Sequence, residues 1–232
     1  MDPLYLLSGG AAYGLVSKLE QRFAAQTGCR IKGTYSAVGL MREQLLNGAP
    51  CDVVILTDAL IAQLEASGHV VAGSAHRLGS VKTGIAVKSG ASVPAVATVD
   101  ELKLALLNAR GIYFPDPLKS TAGIHFMGML RQLHIEAELV ECLRPFANGA
   151  TAMGEMAKSN ESNLIGCTQM TEILYTPGVQ WVAVLPKAFE LATVYSAAMS
   201  HSSHRSREVN LLTALLCSSE TAALRRAVGF DD

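Results

Sequence analysis

The sequence contains few charged and few aromatic side chains. Charged residues make up 17% of its 232 residues and aromatic residues 6%, with a single tryptophan and a net charge of −1. Lys and Arg form no cluster along the chain, so the sequence lacks the basic surface of a nucleic-acid-binding protein. Half of the residues are hydrophobic. This composition predicts a well-packed core, in one large domain or in two lobes of about 100 residues each.

Several functional motifs are absent as well. No His, Cys or Asp pair has the spacing of metal ligands, such as HxxxH. The sequence contains no phosphate-binding P-loop, no GxGxxG and no GxSxG nucleophile motif. The five cysteines are widely spaced in apolar stretches, which indicates buried free thiols and fits a reducing compartment. We therefore expect neither a metal ion nor an organic cofactor.

No stretch of the sequence has the character of a targeting or membrane segment. The first residues, MDPLYLLSGG, lack the basic region and the long apolar region of a secretory signal. No apolar run reaches the ~18 residues of a membrane-spanning helix. We expect a protein without a membrane span that is cytoplasmic as the sequence is written, or periplasmic if a leader has been removed.

Apolar, strand-like runs alternate with amphipathic helical segments in units of roughly 30 residues. This alternation predicts a parallel α/β architecture. Thr98 and Glu101 have the spacing of a capping box and mark the start of one helix. The predicted strands cover residues 3–8, 29–36, 51–57, 81–90, 111–117, 163–169, 179–186 and 192–200.

Small and hydroxyl-bearing residues recur where these strands end and the next helix begins. Ligands of open α/β sheets bind at the carboxyl edge of the strands, and helix N-termini offer N–H donors and a positive partial charge. The same residue types cap helices where no ligand binds, but their recurrence at six junctions favours a shared anion site. The candidate ligand-binding residues are Ser8, Gly9, Gly10, Ala11, Ser36, Ala37, Val38, Thr57, Ser120, Thr121, Gly123, Asn148, Thr168 and Gln169.

Three stretches of the sequence carry a family resemblance. They read SGGAAYGLVSKLEQRF, NGAPCDVVILTD and DPLKSTAGIHF. With them, and over nearly its whole length, the chain resembles proteins of the type II periplasmic-binding-protein fold, and among these the molybdate-binding solute receptors. The resemblance implies two α/β lobes, residues 1–82 plus 194–232 and residues 83–193, with a ligand cleft between the lobes and hinge closure. It also implies a small anionic ligand, and an ABC permease as partner if the protein is exported.

The resemblance leaves three ligand hypotheses open. The receptors hold their oxyanion with serine hydroxyls in the first two binding loops, and Ala11 and the Ala37-Val38 pair occupy the matching places here. This difference favours a larger organic di- or tricarboxylate. Aconitate isomerase is related to the same receptors, which implies an isomerase of unsaturated tricarboxylates as the alternative. Binding of a molybdate-type oxyanion is the third hypothesis.

Four further residues are candidates for the site. His125 lies at the start of the helix that follows FPDPLKS, where it is predicted to point into the cleft as a hydrogen-bond donor or a proton carrier; the alternative is a structural histidine. Lys119 and Glu172 complete the set of catalytic candidates if the protein is an enzyme. Tyr195 lies where the chain is predicted to return through the hinge, and is expected to reach the cleft.

Overall fold

The computed structural model describes residues 2–231 and contains alternating strands and helices. The strands are β1 (Leu4–Gly9), β2 (Ile31–Ser36), β3 (Val53–Thr57), β4 (His76–Lys88), β5 (Gly111–Pro115), β6 (Leu143–Phe146), β7 (Leu164–Gln169), β8 (Val179–Val184) and β9 (Ala192–Met199). The helices are α1 (Tyr13–Thr27), α2 (Val38–Leu46), α3 (Asp58–Ala66), α4 (Val99–Leu107), α5 (Thr121–Gln132), α6 (Glu136–Leu139), α7 (Gly149–Lys158), α8 (Met170–Tyr175), α9 (Ser206–Cys217) and α10 (Ala222–Ala227).

The chain divides into two compact units. The first contains the residues up to Val81 together with those from Val194 onward, and the second is the continuous segment Lys82–Thr193. The chain passes from the first unit to the second within β4 and returns within β9. Each unit is a mixed α/β structure. The predicted alternation of strands and helices is confirmed, but the predicted parallel arrangement is only partly correct, because β4, β8 and β9 pair antiparallel with their neighbours.

The first unit is built on the strand order β2-β1-β3-β9. β1 pairs in parallel with both β2 and β3, whereas β9 runs antiparallel to β3. β3 is buried along its whole length, as expected of a continuous apolar run with both faces covered. Gly9 lies opposite Ser36, and Ser8 lies opposite Ile55. The ends of β1, β2 and β3 therefore lie together at one edge of the sheet.

The second unit has a central β7, which pairs in parallel with β5 and antiparallel with β4. The hydrophobic side chains of the neighbouring strand β5 alternate between the two faces of the sheet. Ile112 and Phe114 pack into one cluster with α4 and α5, whereas Tyr113, between them, packs into another with α7. The Phe114 ring lies 5.0 Å from the ring of Phe126 on α5. Both faces of β5 are therefore covered, as expected of a strand with parallel neighbours on both sides.

Two local features compare directly with the sequence-based expectations. The capping box is confirmed: Thr98 Oγ1 accepts from the Glu101 N–H at 3.2 Å, and Glu101 Oε2 accepts from the Thr98 N–H at 2.9 Å. β6 was not predicted, because it has only four residues and contains Arg144 and Pro145. Among the described strands β6 pairs only with β5, and such an edge position tolerates a proline that has no N–H.

Candidate functional site

The junctions between strands and helices form one edge in each unit. We call residues 8–12, 36–39 and 57–58 the first-unit edge, and residues 116–123, 147–151 and 168–172 the second-unit edge. In the first unit the register of the parallel strands aligns the three junctions. In the second unit Pro115 lies opposite Phe146, and Tyr113 lies opposite Gly166, so the ends of β5, β6 and β7 are aligned in the same way.

At the first-unit edge, two helical segments begin without a capping side chain. The 3₁₀ turn Gly10–Ala12, which leads into α1, follows Gly9, and α2 follows Ala37. Only α3 is capped there, by Thr57 Oγ1, which accepts from the Leu60 N–H at 3.4 Å. Uncapped helix starts present N–H donors and a positive partial charge, which is the arrangement that holds anions.

The hydroxyl of Ser8 is not directed to a ligand. Ser8 is fully buried, and its Oγ donates to the carbonyl of Gly9 at 2.8 Å. Ser36 is also buried. The Ser8 proton is therefore directed to the backbone, and a contact between Ser8 and a ligand stays a prediction.

Tyr195 and Val38 pack around Gly9. A Cβ atom on Gly9 would lie 2.7 Å from Val38 Cγ1 and 3.2 Å from the ring of Tyr195. Tyr195 is buried, lies opposite Thr57 in the β3–β9 pair and makes an edge-to-face contact with Phe230. The glycine at position 9 is therefore required by the packing of the chain itself, and Tyr195 contributes to the wall behind the edge.

At the second-unit edge, the loop before α5 is held by its own side chains. Asp116 Oδ1 accepts from the N–H groups of Leu118 and Lys119 at 2.7 and 3.0 Å, and Ser120 Oγ accepts from the Gly123 N–H at 3.5 Å. A Cβ atom on Gly123 would collide with the carbonyl oxygens of Pro115 and Asp116. Gly123, a candidate ligand-binding residue by sequence, therefore makes room for the backbone of the chain itself. Thr121, at the first position of α5, is half-buried.

His125 is anchored within the second unit. Its Nε2 atom lies 2.8 Å from the carbonyl oxygen of Phe189. Because a carbonyl oxygen can only accept, Nε2 carries a proton, and Nδ1 is the nitrogen with a lone pair when the ring is neutral. The ring is half-buried, as is the Lys119 side chain on the loop before α5. A proton acceptor on this residue would therefore have to be Nδ1.

The N-terminus of α7 receives a carboxylate of the chain itself. Asn148 caps this helix, with Oδ1 accepting from the Thr151 N–H at 2.8 Å. The buried Glu172 carboxylate accepts from Thr168 Oγ1 at 2.6 Å and from the N–H groups of Gly149, Ala150 and Gln169. A Cβ atom on Gly149 would collide with both Glu172 and Thr168. The α7 terminus, which the sequence suggested for a ligand, therefore already holds an anion.

The environment of Glu172 changes its acidity. Burial raises the pKa of this carboxyl to about 6, and the four hydrogen bonds to it oppose that rise without cancelling it. Only 5% of the residue is exposed. A carboxyl with this pKa exchanges protons near neutrality, but its enclosure behind Gly149 favours the role of an internal anion over that of a general base.

Two polar residues near Gln169 were missed by the sequence analysis. Thr83 on β4 lies directly opposite Gln169, whose Nε2 donates to Thr193 Oγ1 at 3.3 Å. All three residues are buried. Thr83, Gln169 and Thr193 are brought together by the pairing of strands that are distant in the sequence. A local sequence motif could therefore not reveal this group. Within residues 2–231 no three His, Cys, Asp or Glu side chains are grouped as a metal site requires.

The architecture of both units is that of the periplasmic binding proteins. The periplasmic molybdate-binding protein of Azotobacter vinelandii superposes with a TM-score of 0.81, at 18% identity, over 99% of both chains. The sulfate-binding protein of Mycobacterium tuberculosis gives a TM-score of 0.75 at 16% identity, over 99% of this chain and 86% of that one. At these identities the likeness defines the fold. Within that fold, residues 4–231 match the model of the bacterial extracellular solute-binding proteins, and the chain belongs to this family.

One similar protein is an enzyme. Aconitate isomerase of a Pseudomonas species is 25% identical over 225 residues, which cover 94% of this chain and 84% of the isomerase. The chain thus belongs to a family of solute-binding proteins and is also similar to one protein that is named as an enzyme. No helix in the described part of the chain is both long and apolar enough to cross a membrane.

Proposed function

We propose that this solute-binding protein binds a small organic anion, a di- or tricarboxylate, with backbone donors at its strand–helix junctions. The observation that carries the proposal is the uncapped start of α2 at Val38, at the first-unit edge. This start presents N–H groups and a positive partial charge to a carboxylate. Thr121, at the start of α5, offers a hydroxyl at the second-unit edge.

The shortage of hydroxyl donors favours a carboxylate over a tetrahedral oxyanion. The two structural neighbours are named for molybdate and sulfate. In this chain Ala11 and Ala37 stand where the molybdate receptors place serines, and the proton of Ser8 is bound by Gly9. Methyl groups in place of hydroxyls remove donors and leave space, which suits a larger acid whose charge is spread over several carboxylates.

A second candidate function is isomerisation of an unsaturated tricarboxylate. The similarity to aconitate isomerase over 94% of this chain favours it. Such a reaction removes a proton from the carbon next to a double bond and returns a proton at the other end of the allylic system, so the atoms balance without a cofactor. Nδ1 of His125 and the amine of Lys119 are the proton carriers in this proposal, with Glu172 as the internal anion.

The family and its neighbours also favour an extracytoplasmic role. The matching family is described as extracellular, and the Azotobacter vinelandii protein is periplasmic. We therefore extend the proposal to a periplasmic receptor that delivers its ligand to an ABC permease, with the cytoplasmic isomerase as the alternative.

Titration calorimetry tests the binding function. Citrate, trans-aconitate, molybdate and sulfate are titrated separately, and we expect the organic acids to bind more tightly. Ala37→Asp should abolish anion binding, because the new carboxylate caps α2 and repels the ligand, while the fold is kept or stabilised. Ala37→Asn provides the uncharged cap as the matched control and should weaken binding less. Tight binding of molybdate or sulfate with no response to the acids would refute the proposal.

Exchange of deuterium tests the isomerase. The protein is incubated with trans-aconitate in deuterated water and the acid is followed by NMR. Deuterium incorporation or formation of the cis isomer would establish catalysis. Binding without either result leaves the protein as a receptor.

A further inference from the structure

Within residues 2–231, the second unit contains three buried side-chain oxygens that have no hydrogen-bond partner. They are Thr83 Oγ1, Gln169 Oε1 and Thr171 Oγ1. Buried polar atoms are paired in roughly 90% or more of cases, and an unpaired one is costly. Two of them, Thr83 Oγ1 and Gln169 Oε1, lie on paired strands at the end of β7, which indicates a place where another polar group belongs.

Thr83 and Gln169 face the same place. They are directly opposite in the antiparallel pair of β4 and β7, so their side chains project from the same face of the sheet. Thr83 is 1% exposed and Gln169 is 3% exposed. Gln169 is the last residue of β7 and precedes α8, which puts it at the second-unit edge. The two unpaired atoms are therefore neighbours at the edge proposed to bind the ligand.

The chemistry of the two atoms selects the group that fits them. The Thr83 hydroxyl donates, whereas the amide oxygen of Gln169 only accepts. A hydroxyl group satisfies both, because it accepts from Thr83 and donates to Gln169. A carboxylate only accepts, so it would oppose the amide oxygen. It would also lie near the Glu172 carboxylate, which is hydrogen-bonded to the Gln169 backbone N–H, and two close anions repel each other.

The Gln169 side chain can turn to meet such a group. Its hydrogen bond from Nε2 to Thr193 Oγ1 is long at 3.3 Å, and the side chain has three rotatable bonds. A hydroxyl group of the ligand would donate to Gln169 Oε1, and this amide oxygen would then have a hydrogen-bond partner. Thr83 lies on β4, beside β7, and its short side chain provides the second contact to the ligand hydroxyl.

We propose that Thr83 and Gln169 form a subsite that recognises a hydroxyl group of the bound organic acid. This inference rests on the proposed function and narrows its ligand class to hydroxy acids, such as a hydroxylated tricarboxylate. It favours receptors of hydroxy acids over enzymes of aconitate, which has no hydroxyl outside its carboxyl groups.

Citrate and tricarballylate test the subsite, because they differ only by the hydroxyl on the central carbon. We expect the wild-type protein to bind citrate about 10- to 100-fold more tightly by calorimetry, as for a buried polar pair left unsatisfied by the other acid. Thr83→Val keeps the shape of the side chain and should reduce this ratio to within about threefold. Gln169→Met should reduce it in the same way.

Thr213→Val is the matched control. It removes an equally buried hydroxyl on α9, in the first unit and outside both edges, and it should keep the wild-type ratio. Circular dichroism verifies the fold of each variant. If Thr83→Val does not fold, the affinity ratio of Gln169→Met tests the subsite instead. Equal affinity of the wild type for the two acids, or a ratio that survives both substitutions, would overturn the subsite alone. If neither acid binds, the proposed function fails and the subsite with it.

Discussion

The hydroxyl of Thr168 donates a hydrogen bond of 2.6 Å to the Glu172 carboxylate, and this pair fills the N-terminus of α7. The helix terminus is therefore neutralised from within the chain, by a residue of the neighbouring helix α8. The glycine at the start of α7 allows this approach, because any side chain there would collide with both residues. This internal anion distinguishes the α7 terminus from that of α5, which is capped by Ser120 and begins with the half-buried Thr121.

The first prediction concerns pH and Glu172. Because burial raises its pKa from 4.5 to about 6, the folded protein holds this proton more tightly than the unfolded chain does. The free energy of unfolding should therefore fall as the pH rises from about 4.5 to about 6, by about 2 kcal/mol from this group. Below and above this window its contribution is constant. Urea denaturation at several pH values measures it.

Two variants isolate this contribution. Glu172→Gln removes the ionisable group with little change in shape, so the wild-type stability relative to this variant should decline across the window. Glu155→Gln removes a half-exposed acid of α7 that pairs with Lys158, and should leave the decline in place. A wild-type protein whose stability relative to Glu172→Gln is flat with pH would show that the carboxyl is not buried in this way.

The second prediction concerns the glycine at the start of α7. Gly149→Ala should lower the free energy of unfolding by about 1–3 kcal/mol, because the new methyl group has to displace Glu172 or Thr168. Gly154→Ala, on the same helix, meets no atom within 4 Å and should raise stability by about 0.5–1 kcal/mol through helix propensity. Thermal denaturation of the two variants makes the comparison. Equal effects in both would contradict the packing described at residue 149.

The third prediction separates two roles of His125. His125→Ala removes the donor to the Phe189 carbonyl and should lower stability by about 1–2 kcal/mol. In the receptor it should weaken ligand binding by no more than about 1–3 kcal/mol. In the isomerase it should lower turnover by about 10²–10⁴-fold.

His125→Gln is the informative companion variant. Its amide N–H group can still donate to the Phe189 carbonyl, so stability should return while proton transfer does not. Denaturation, calorimetry and the deuterium assay are applied to both variants. If His125→Ala changes neither affinity nor turnover, the histidine serves only to anchor α5.

The fourth prediction concerns selectivity at the first-unit edge. Ala37→Ser supplies the hydroxyl that the molybdate receptors are expected to use, and also a cap for α2. Helix stability should rise by about 1 kcal/mol, and affinity for molybdate should increase relative to citrate. Competitive calorimetry measures the ratio. A ratio unchanged by the new hydroxyl would mean that position 37 does not contact the anion.

Sequence reasoning located the edges of the two sheets but not the directions of their side chains. The junctions after β1, β2 and β3 are brought together by parallel pairing, which the alternation of strands and helices already implies. The target of Ser8, by contrast, depends on the local geometry of a strand end. The partner of Gly149 depends on α7 and α8 meeting, and these helices are separated along the chain by β7.

The glycines show the same limit. Gly9 and Gly123 were candidate ligand-binding residues in the sequence because they lie beside hydroxyl residues at strand–helix junctions. The structure gives each a close neighbour within the chain: Tyr195 and Val38 for Gly9, and two carbonyl oxygens for Gly123. Sequence alone shows that backbone approach is close at such positions, but not what approaches.

The insertion of one unit within the other has a consequence for synthesis of the chain. Lys82–Thr193 is continuous, so all of its strands and helices are available as soon as that segment has left the ribosome. The first unit has to wait, because β3 acquires its antiparallel neighbour β9 only after the second unit has been made. Domains fold as units while translation proceeds at about 5–20 residues per second. The inserted unit can therefore complete its fold first, while β3 is still without its antiparallel neighbour β9.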